Sequence, residues 1–288
     1  MSERNPADYV VVNDQEISIA SIHERFSSTK YGQKLAGERR YEIFRPEPIS
    51  PVQWIEILGP DANNLAHHDV AHGITRDLTI VSTPGQFSTD EIQDLALTAA
   101  THDWGEAVIG DVTYSNKTAS HEEEEMRALK MIAEDVYSDN PALARRIITL
   151  SETVLCDRTS KLGSTFNAVE RSGYVQTALR GRHVAKYNVE MGQDELRPHI
   201  PRFDLIAHNV LSGHMRPLTV YAEVHPYVAQ MFTRREKGIE HAYATIPHAH
   251  RLDYETVLGF GEEKRNRAQV NFDDGKMAWD QFMKGRAV

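Results

Sequence analysis

Apolar residues recur along most of the chain at the three- and four-residue spacing of amphipathic helices. In the segment 65–81, Ala71, Ile74 and Leu78 repeat at this spacing and predict a helix with one core-facing side. Ser88-Thr-Asp-Glu91 is a capping box, which predicts that the next helix begins there. Further helices are predicted over residues 120–137, 141–155, 166–184, 218–231, 234–245 and 277–283.

This pattern predicts an all-α protein. A β-branched run between Asp8 and Ile19 predicts a short strand or an extended arm, and Pro226 predicts a kink or a break in the helix over 218–231. A GxGxxG motif and a parallel-sheet pattern are both missing from the sequence, which argues against a dinucleotide-binding fold. We expect an N-terminal arm over residues 1–24, a helical bundle over 25–240, and a helical or irregular C-terminal extension over 241–288.

Composition excludes several function classes. The chain has 288 residues and a formal net charge of −10, so it lacks the excess of Lys and Arg that general nucleic-acid binding requires. Its single cysteine, Cys156, excludes an internal disulfide and multi-cysteine zinc sites, and it favours a reducing, cytoplasmic location. The sequence has no signal-peptide pattern and no apolar run that approaches about 18 residues. We expect neither a nucleic-acid partner nor a membrane.

An adjacent imidazole and carboxylate, His102-Asp103, follow an apolar helical run. Neighbouring side chains on a helix point about 100° apart, and a metal ion at a helix end is one of the few partners that can use both. The preceding helix carries further imidazoles, with His67 on its apolar stripe, His68 one step round, and His72 four residues beyond His68. Two imidazoles and a carboxylate from facing helices commonly bind a divalent cation inside a helical bundle.

Further chemistry-bearing residues follow this doublet at short spacings, namely Glu106, Gly110-Asp111 and Lys117. With them the sequence resembles the HD-domain phosphohydrolase superfamily, and within it the bacterial 5′-deoxynucleotidases and related phage deoxynucleotide hydrolases. The resemblance runs from Leu65 to Arg182 and is strongest over residues 102–117. It implies the HD-domain helical bundle, one bound divalent transition-metal ion, and hydrolysis of a nucleotide phosphate ester.

The resemblance implies that a histidine, the His-Asp doublet and a later acidic residue bind the metal. The family's lead-in sequence favours His68 as the first ligand, whereas the apolar stripe favours His67, so both stay open, with His68 preferred. Glu170 is the later ligand in this interpretation, at a position where the family customarily has aspartate, with Asp157 and Glu152 as competitors. Such a ligand set suits manganese, cobalt, iron, nickel or zinc better than calcium.

The resemblance also implies roles for the residues around the metal. Glu106 would orient or deprotonate the attacking water or bind the substrate, and Asp111 would protonate the leaving oxygen. Lys117 would bind the phosphate as a point charge. An upstream arginine usually helps to bind phosphate in this branch. Three arginines are candidates for that contact: Arg40, which we favour, and its alternatives Arg39 and Arg45.

These inferences predict a metal-dependent phosphohydrolase whose substrate is a small nucleotide, with a deoxynucleoside 5′-phosphate as the expected class. Hydrolysis of a deoxynucleoside triphosphate, a cyclic nucleotide or guanosine tetraphosphate are the enzymatic alternatives. The non-enzymatic alternative is a degenerate HD scaffold that binds nucleotide and regulates a partner. The acidic substitution at Glu170 favours this alternative, and the retained acid Asp111 argues against it. Proteins of this branch are often dimers, so the resemblance also allows a homodimer.

Overall fold

The computed structural model describes residues 4–112 and 116–286, and its fold is mostly helical. Helices account for 78% of the residues, and the described strands form one small two-stranded sheet. This composition confirms the predicted all-α class. Among the described residues, no helix is both long enough and apolar enough to cross a membrane. Residues 113–115, which belong to the stretch that most resembles the HD superfamily, lie outside the described residues.

The elements follow one another along the chain with short connections, and many helices begin at a side-chain cap. The strands are β1 (Tyr9–Val12) and β2 (Gln15–Ser18). The helices are α1 (Ile19–Ser27), α2 (Lys30–Gly37), α3 (Pro51–Leu58), α4 (Asn64–Val81), α5 (Thr89–Thr101), α6 (Glu106–Ile109), α7 (Ala119–Val136), α8 (Pro141–Leu150), α9 (Lys161–Glu190), α10 (Ile200–Val224), α11 (Pro226–Thr245), α12 (Tyr254–Leu258) and α13 (Glu262–Arg286).

The chain divides into two compact units. The first comprises Met1–Arg40 and Asn63–Glu170, and the second comprises Tyr41–Ala62 and Arg171–Val288. Helix α9 contributes residues 161–170 to the first unit and residues 171–190 to the second. The predicted domain division stays a prediction, with an arm over 1–24, a bundle over 25–240 and an extension over 241–288. In the structure, residues 241–288 belong to the same compact unit as residues 171–240.

In the first unit the β-branched run forms the predicted strand. β1 and β2 pair antiparallel, with Val10 opposite Ile17, and the backbone N–H of Val11 donates to Gln93 Oε1 of α5 at 3.2 Å. The unit's core includes Phe26 and Trp104, whose parallel rings stack with centroids 4.3 Å apart. The hairpin and the helices around it therefore pack on α5, the helix that ends at the His-Asp doublet.

In the second unit, the chain after residue 247 is more regular than the sequence predicts. The expected short helix over 277–283 is part of α13, which is 25 residues long and packs extensively on α10. Its buried residues are Ala268, Phe272, Gly275 and Trp279. A Cβ at Gly275 would lie 3.1 Å from the Met215 side chain, so the glycine permits close approach to α10. Small and aromatic residues are therefore both buried on α13, and hydropathy alone underestimates the small ones.

Pro226 separates two helices in the second unit. Helix α10 ends at Val224 and α11 begins at Pro226, so the predicted helix over 218–231 is broken rather than kinked. The residue before a proline is sterically disfavoured in the α conformation. His225 accordingly has extended backbone angles, with φ −119° and ψ 104°.

A buried histidine links α10, α12 and α13 of the second unit. His208 is fully buried and stacks on Phe272 with ring centroids 4.3 Å apart. Its Nε2 lies 3.2 Å from Gln269 Oε1, which can only accept, and its Nδ1 lies 2.7 Å from the Tyr254 hydroxyl. Nε2 therefore carries a hydrogen, and in the neutral ring Nδ1 accepts from the Tyr254 hydroxyl. Burial lowers the pKa of His208 to about 4.

We expect this histidine to make the second unit sensitive to acid. A histidine in the unfolded chain titrates near pH 6.5, so the contribution is complete above that pH and is lost as the pH falls towards 4. Between pH 7 and pH 5 the loss should be on the order of 2 kcal/mol in the free energy of unfolding. Urea denaturation of wild type and His208→Gln at both pH values measures this difference. An equal acid loss in both proteins would contradict the prediction, and the exposed His241→Gln is the control.

Candidate metal centre

Helices α4 and α5 of the first unit bring two imidazoles together. Helix α4 begins beside the Asn63 side chain, which accepts a hydrogen bond from the Ala66 N–H, and its buried side carries His67. His102 ends α5 in helical conformation, and its Nδ1 donates to the Ala99 carbonyl at 3.0 Å. This bond fixes the tautomer and leaves the lone pair of His102 on Nε2, directed towards His67.

Four potential ligand atoms converge at this point. The Nε2 atoms of His67 and His102 are 3.0 Å apart. Asp103 Oδ2 lies 3.5 Å from the His67 nitrogen and 3.2 Å from the His102 nitrogen. Glu170 Oε1, from α9, lies 3.4 Å and 3.2 Å from the same two atoms. The two histidine side chains are 3% exposed, so the cluster is almost closed to bulk solvent.

These separations suit ligand atoms that share one metal ion. With metal–ligand bonds of about 2.1 Å, neighbouring ligand atoms are about 3.0 Å apart in an octahedron and about 3.4 Å apart in a tetrahedron. The five separations that involve a histidine nitrogen span 3.0 to 3.5 Å. The buried group of His67, His102 and Glu170 could hold a metal ion. Asp103 Oδ2 also lies within 3.5 Å of both histidine nitrogens.

The directions of the pKa shifts indicate that the cluster favours bound positive charge. Burial lowers the pKa of His102, but the neighbouring Asp103 and Glu170 carboxylates outweigh it and leave that pKa well above its usual value. Burial raises the pKa values of Asp103 and Glu170, yet the imidazoles prevail and both pKa values are lowered. Protons on the imidazoles or a bound cation can each meet this demand.

His67, and not His68, lies among these ligand atoms. The His68 ring is buried with its centroid 5.5 Å from that of His102, and neither of its nitrogens has a hydrogen-bond partner among the described residues. Burial keeps the pKa of His68 well below its usual value, so the ring is neutral. The preference for His68 as the metal ligand therefore stays a prediction. The group that could hold a metal ion contains His67, which shares the buried side of α4 with Ala71 and Ile74.

A second group of carboxylates adjoins the first and shares Asp103 with it. One oxygen each from Asp103, Glu106 and Glu125 lies within 4.8 Å of the others. The Asn64 side-chain amide donates to Glu106 Oε2 at 3.2 Å, and Lys117 Nζ contacts Glu125 Oε2 directly. Burial, and then the nearby carboxylates, raise the pKa of Glu106 well above its usual value.

The remaining predicted residues are Asp111 and the arginines. Asp111 has exposed surface, but loss of hydration among surrounding protein atoms raises its pKa. The charge of the buried Arg40 opposes this rise in pKa at both Asp111 and Glu106, and its role in phosphate binding stays a prediction. Arg39 instead donates to the carbonyls of residues 36 and 38, and Arg45 donates to Glu42 and to the carbonyl of residue 49.

Other candidates have different partners. Asp157 is exposed and accepts from the N–H groups of residues 159 and 160, and Glu152 pairs with Lys130. His72 Nε2 donates to the Ala7 carbonyl at 2.7 Å. Glu170 is therefore the later acidic residue that the structure brings to the two histidines.

Sequence reasoning missed Asn64 and Glu125. The run Glu122–Glu125 has the pattern of a solvated helix N-terminus, yet the Glu125 side chain is only 12% exposed. The spacing along the helix could have indicated that Glu125 is buried. Glu125 stands four residues before Leu129 and seven before Ile132 on the buried stripe of α7. Asn64 is likewise three residues before His67 on the buried side of α4.

Comparison with known proteins adds no relative from which a role could be transferred. No family model matches the sequence, and neither a curated protein nor a solved structure matches the chain. The case for any function therefore depends on the residues of this site.

We expect His67→Ala to weaken manganese binding by more than about 100-fold, because loss of a partner beyond the ligands alone costs 10- to 100-fold. His68→Leu should leave the affinity nearly unchanged, since the His68 nitrogens contact no potential ligand atom closely enough to share a cation. Calorimetric titration with Mn²⁺ measures both affinities. Loss of binding in His68→Leu with retention in His67→Ala would reverse the assignment.

Gly105, in the turn after the His-Asp doublet, has no room for a side chain, so we expect a substitution there to lower the stability of the fold. A Cβ there would lie 2.3 Å from the Glu125 carbonyl oxygen, which is backbone and cannot move independently of α7. Gly105→Ala should therefore lower the free energy of unfolding by about 1 to 3 kcal/mol through overpacking. Gly73→Ala is the control, because this exposed helical glycine has nothing within 4 Å and should gain up to about 1 kcal/mol. Equal urea midpoints for both variants would refute the close contact.

Proposed function

We propose that this chain is a metal-dependent phosphohydrolase of the HD-domain superfamily, and that it cleaves a phosphate ester of a small nucleotide. The observation that carries the proposal is the convergence of two histidine Nε2 atoms with Asp103 and Glu170 oxygens within 3.5 Å. The order of these residues along the chain is the order that the HD motif requires. A deoxynucleoside 5′-phosphate is the substrate class we propose first.

The ligand set defines what a bound ion would contribute. His67, His102, Asp103 and Glu170 would hold one divalent ion, with manganese, cobalt, iron, nickel and zinc as the candidates. When bound, such an ion acts as a Lewis acid towards a phosphoryl oxygen and lowers the pKa of water at neutral pH.

Two carboxyl groups beside the ligands suit proton transfer. In the proposed reaction a water oxygen bonds to phosphorus, the phosphorus–oxygen ester bond breaks, and Glu106 accepts the proton that the water loses. Asp111 gives its proton to the leaving ester oxygen. The raised pKa values of Glu106 and Asp111 support these roles, because each group then exchanges a proton closer to neutral pH than an ordinary carboxyl does.

Two cations supply the charge that a phosphate needs. Lys117 and Arg40 both act electrostatically on Glu106 and Asp111, so both side chains lie near the proposed reaction centre. In the reaction they would bind the non-bridging oxygens, with the guanidinium as a two-point donor and the ammonium as a point charge. Their combined charge favours a small anionic substrate although the chain as a whole is acidic.

The test is a hydrolysis screen of the purified protein supplemented with Mn²⁺. Nucleoside mono-, di- and triphosphates are compared in deoxy and ribo forms, and released phosphate, pyrophosphate and triphosphate are measured separately. We expect phosphate release from deoxynucleoside monophosphates. Release of triphosphate from a deoxynucleoside triphosphate would instead identify the triphosphate hydrolase alternative.

Asp103→Asn should lower kcat/KM by at least about 100-fold, because one change removes a ligand charge from the centre. Asp157→Asn is the matched control, since this exposed aspartate also follows a helix and should leave the rate unchanged. Turnover by the Asp103→Asn variant at the wild-type rate would contradict the proposed centre. Metal binding without turnover of any nucleotide would favour the non-catalytic scaffold. A cytoplasmic location and a homodimer stay predictions.

A further inference from the structure

We infer that Glu125 is a positioning residue that orients the Lys117 ammonium for the substrate phosphate. The inference depends on the proposed function, in which Lys117 binds that phosphate. Lys117 Nζ contacts Glu125 Oε2 directly, and the two side chains are 24% and 12% exposed. The pair is therefore largely removed from water, where an ion pair has far more effect than on an open surface.

Glu125 differs from the three glutamates that precede it. Glu122, Glu123 and Glu124 are exposed, and Glu122 pairs with Arg158 across the surface. Glu125 starts the buried stripe of α7, so the helix directs this one carboxylate inward. Lys117 precedes the helix cap Thr118, so the start of α7 carries both members of the pair.

The main chain of Glu125 packs closely against the turn after the His-Asp doublet. Gly105, two residues after Asp103, faces the Glu125 carbonyl and its Cγ, which would lie 2.3 Å and 2.7 Å from a Cβ at that position. The missing side chain allows α7 to lie directly against the turn that carries the metal ligands. The start of the Glu125 side chain is consequently positioned by a contact that does not involve Lys117.

The pairing with Glu125 restricts where the Lys117 ammonium can lie. A lysine has a flexible four-carbon stem and a charge without preferred direction. Asp103 and Glu106 also attract the Lys117 ammonium, and pairing with either would occupy a group that the proposed reaction uses. An ammonium has three N–H donors, so one bond to Glu125 leaves two for phosphate oxygens.

The test measures binding of inorganic phosphate to the manganese-loaded protein by calorimetry. We expect Glu125→Gln to raise the phosphate Kd about tenfold, as expected for loss of a charge-assisted contact. Lys117→Met should raise it at least as much. In the Lys117→Met background, Glu125→Gln should have no further effect, because Glu125 acts through the lysine. Glu125→Asp retains the charge and should restore most of the affinity.

The matched control is Glu123→Gln, which removes the same charge from an exposed position of the same helix and should leave the Kd unchanged. An unchanged or lower Kd in Glu125→Gln would overturn the inference, since a lower value means that Glu125 competes with phosphate. If Lys117→Met weakens phosphate binding while Glu125→Gln does not, the proposed function stands and the inference fails. If phosphate binding is unaffected by Lys117→Met, both fail. A further loss in the double variant would assign Glu125 a structural role and would also overturn it.

Discussion

Charge balance in a nearly dry interior is the constraint on which this site depends. Carboxylates, imidazoles and an ammonium share a small part of the first unit, and removing each ion from water costs several kcal/mol unless a partner compensates it. The groups concerned are His67, His102, Asp103, Glu106, Lys117, Glu125 and Glu170. Negative groups outnumber the permanently positive ones, so the centre favours protons or a cation. A site under this constraint cannot lose one charge without changing the others.

The backbone creates this density of charge by simple means. Asn63 caps α4, the Ala99 carbonyl fixes the His102 ring, and Gly105 lets α7 approach the turn that follows. Each device uses a group that is short or has no side chain, which leaves the volume of the centre to the reactive groups. His67, His102 and Asp103 therefore lie at helix ends, where backbone groups are available, whereas Glu170 comes from the interior of α9.

The sequence could predict the features that depend on local patterns, such as the buried side of a helix and the residue at which a helix begins. The apolar stripe of α4 placed His67 on the buried side of that helix, and the capping box located the start of α5 correctly. Glu125 escaped, because four consecutive glutamates have identical local signals and only tertiary packing selects the buried one. The length of α13 escaped for a related reason, since its contact with α10 is made where Gly275 permits close approach, which hydropathy does not register. What the sequence could not supply was the mutual position of segments distant in the chain.

Asp103 belongs both to the cluster around the two histidines and to the neighbouring group of carboxylates. The pKa values of Asp103 and Glu106 are shifted in opposite directions. Imidazoles on one side lower the pKa of Asp103, whereas burial beside other carboxylates raises the pKa of Glu106. A pair of neighbouring carboxyl groups with pKa values pushed apart can divide two tasks between them. Asp103 stays ionised and suits a cation, and Glu106 binds a proton readily and suits proton transfer. The same environment that makes the centre costly to bury thus assigns different chemistry to residues three positions apart.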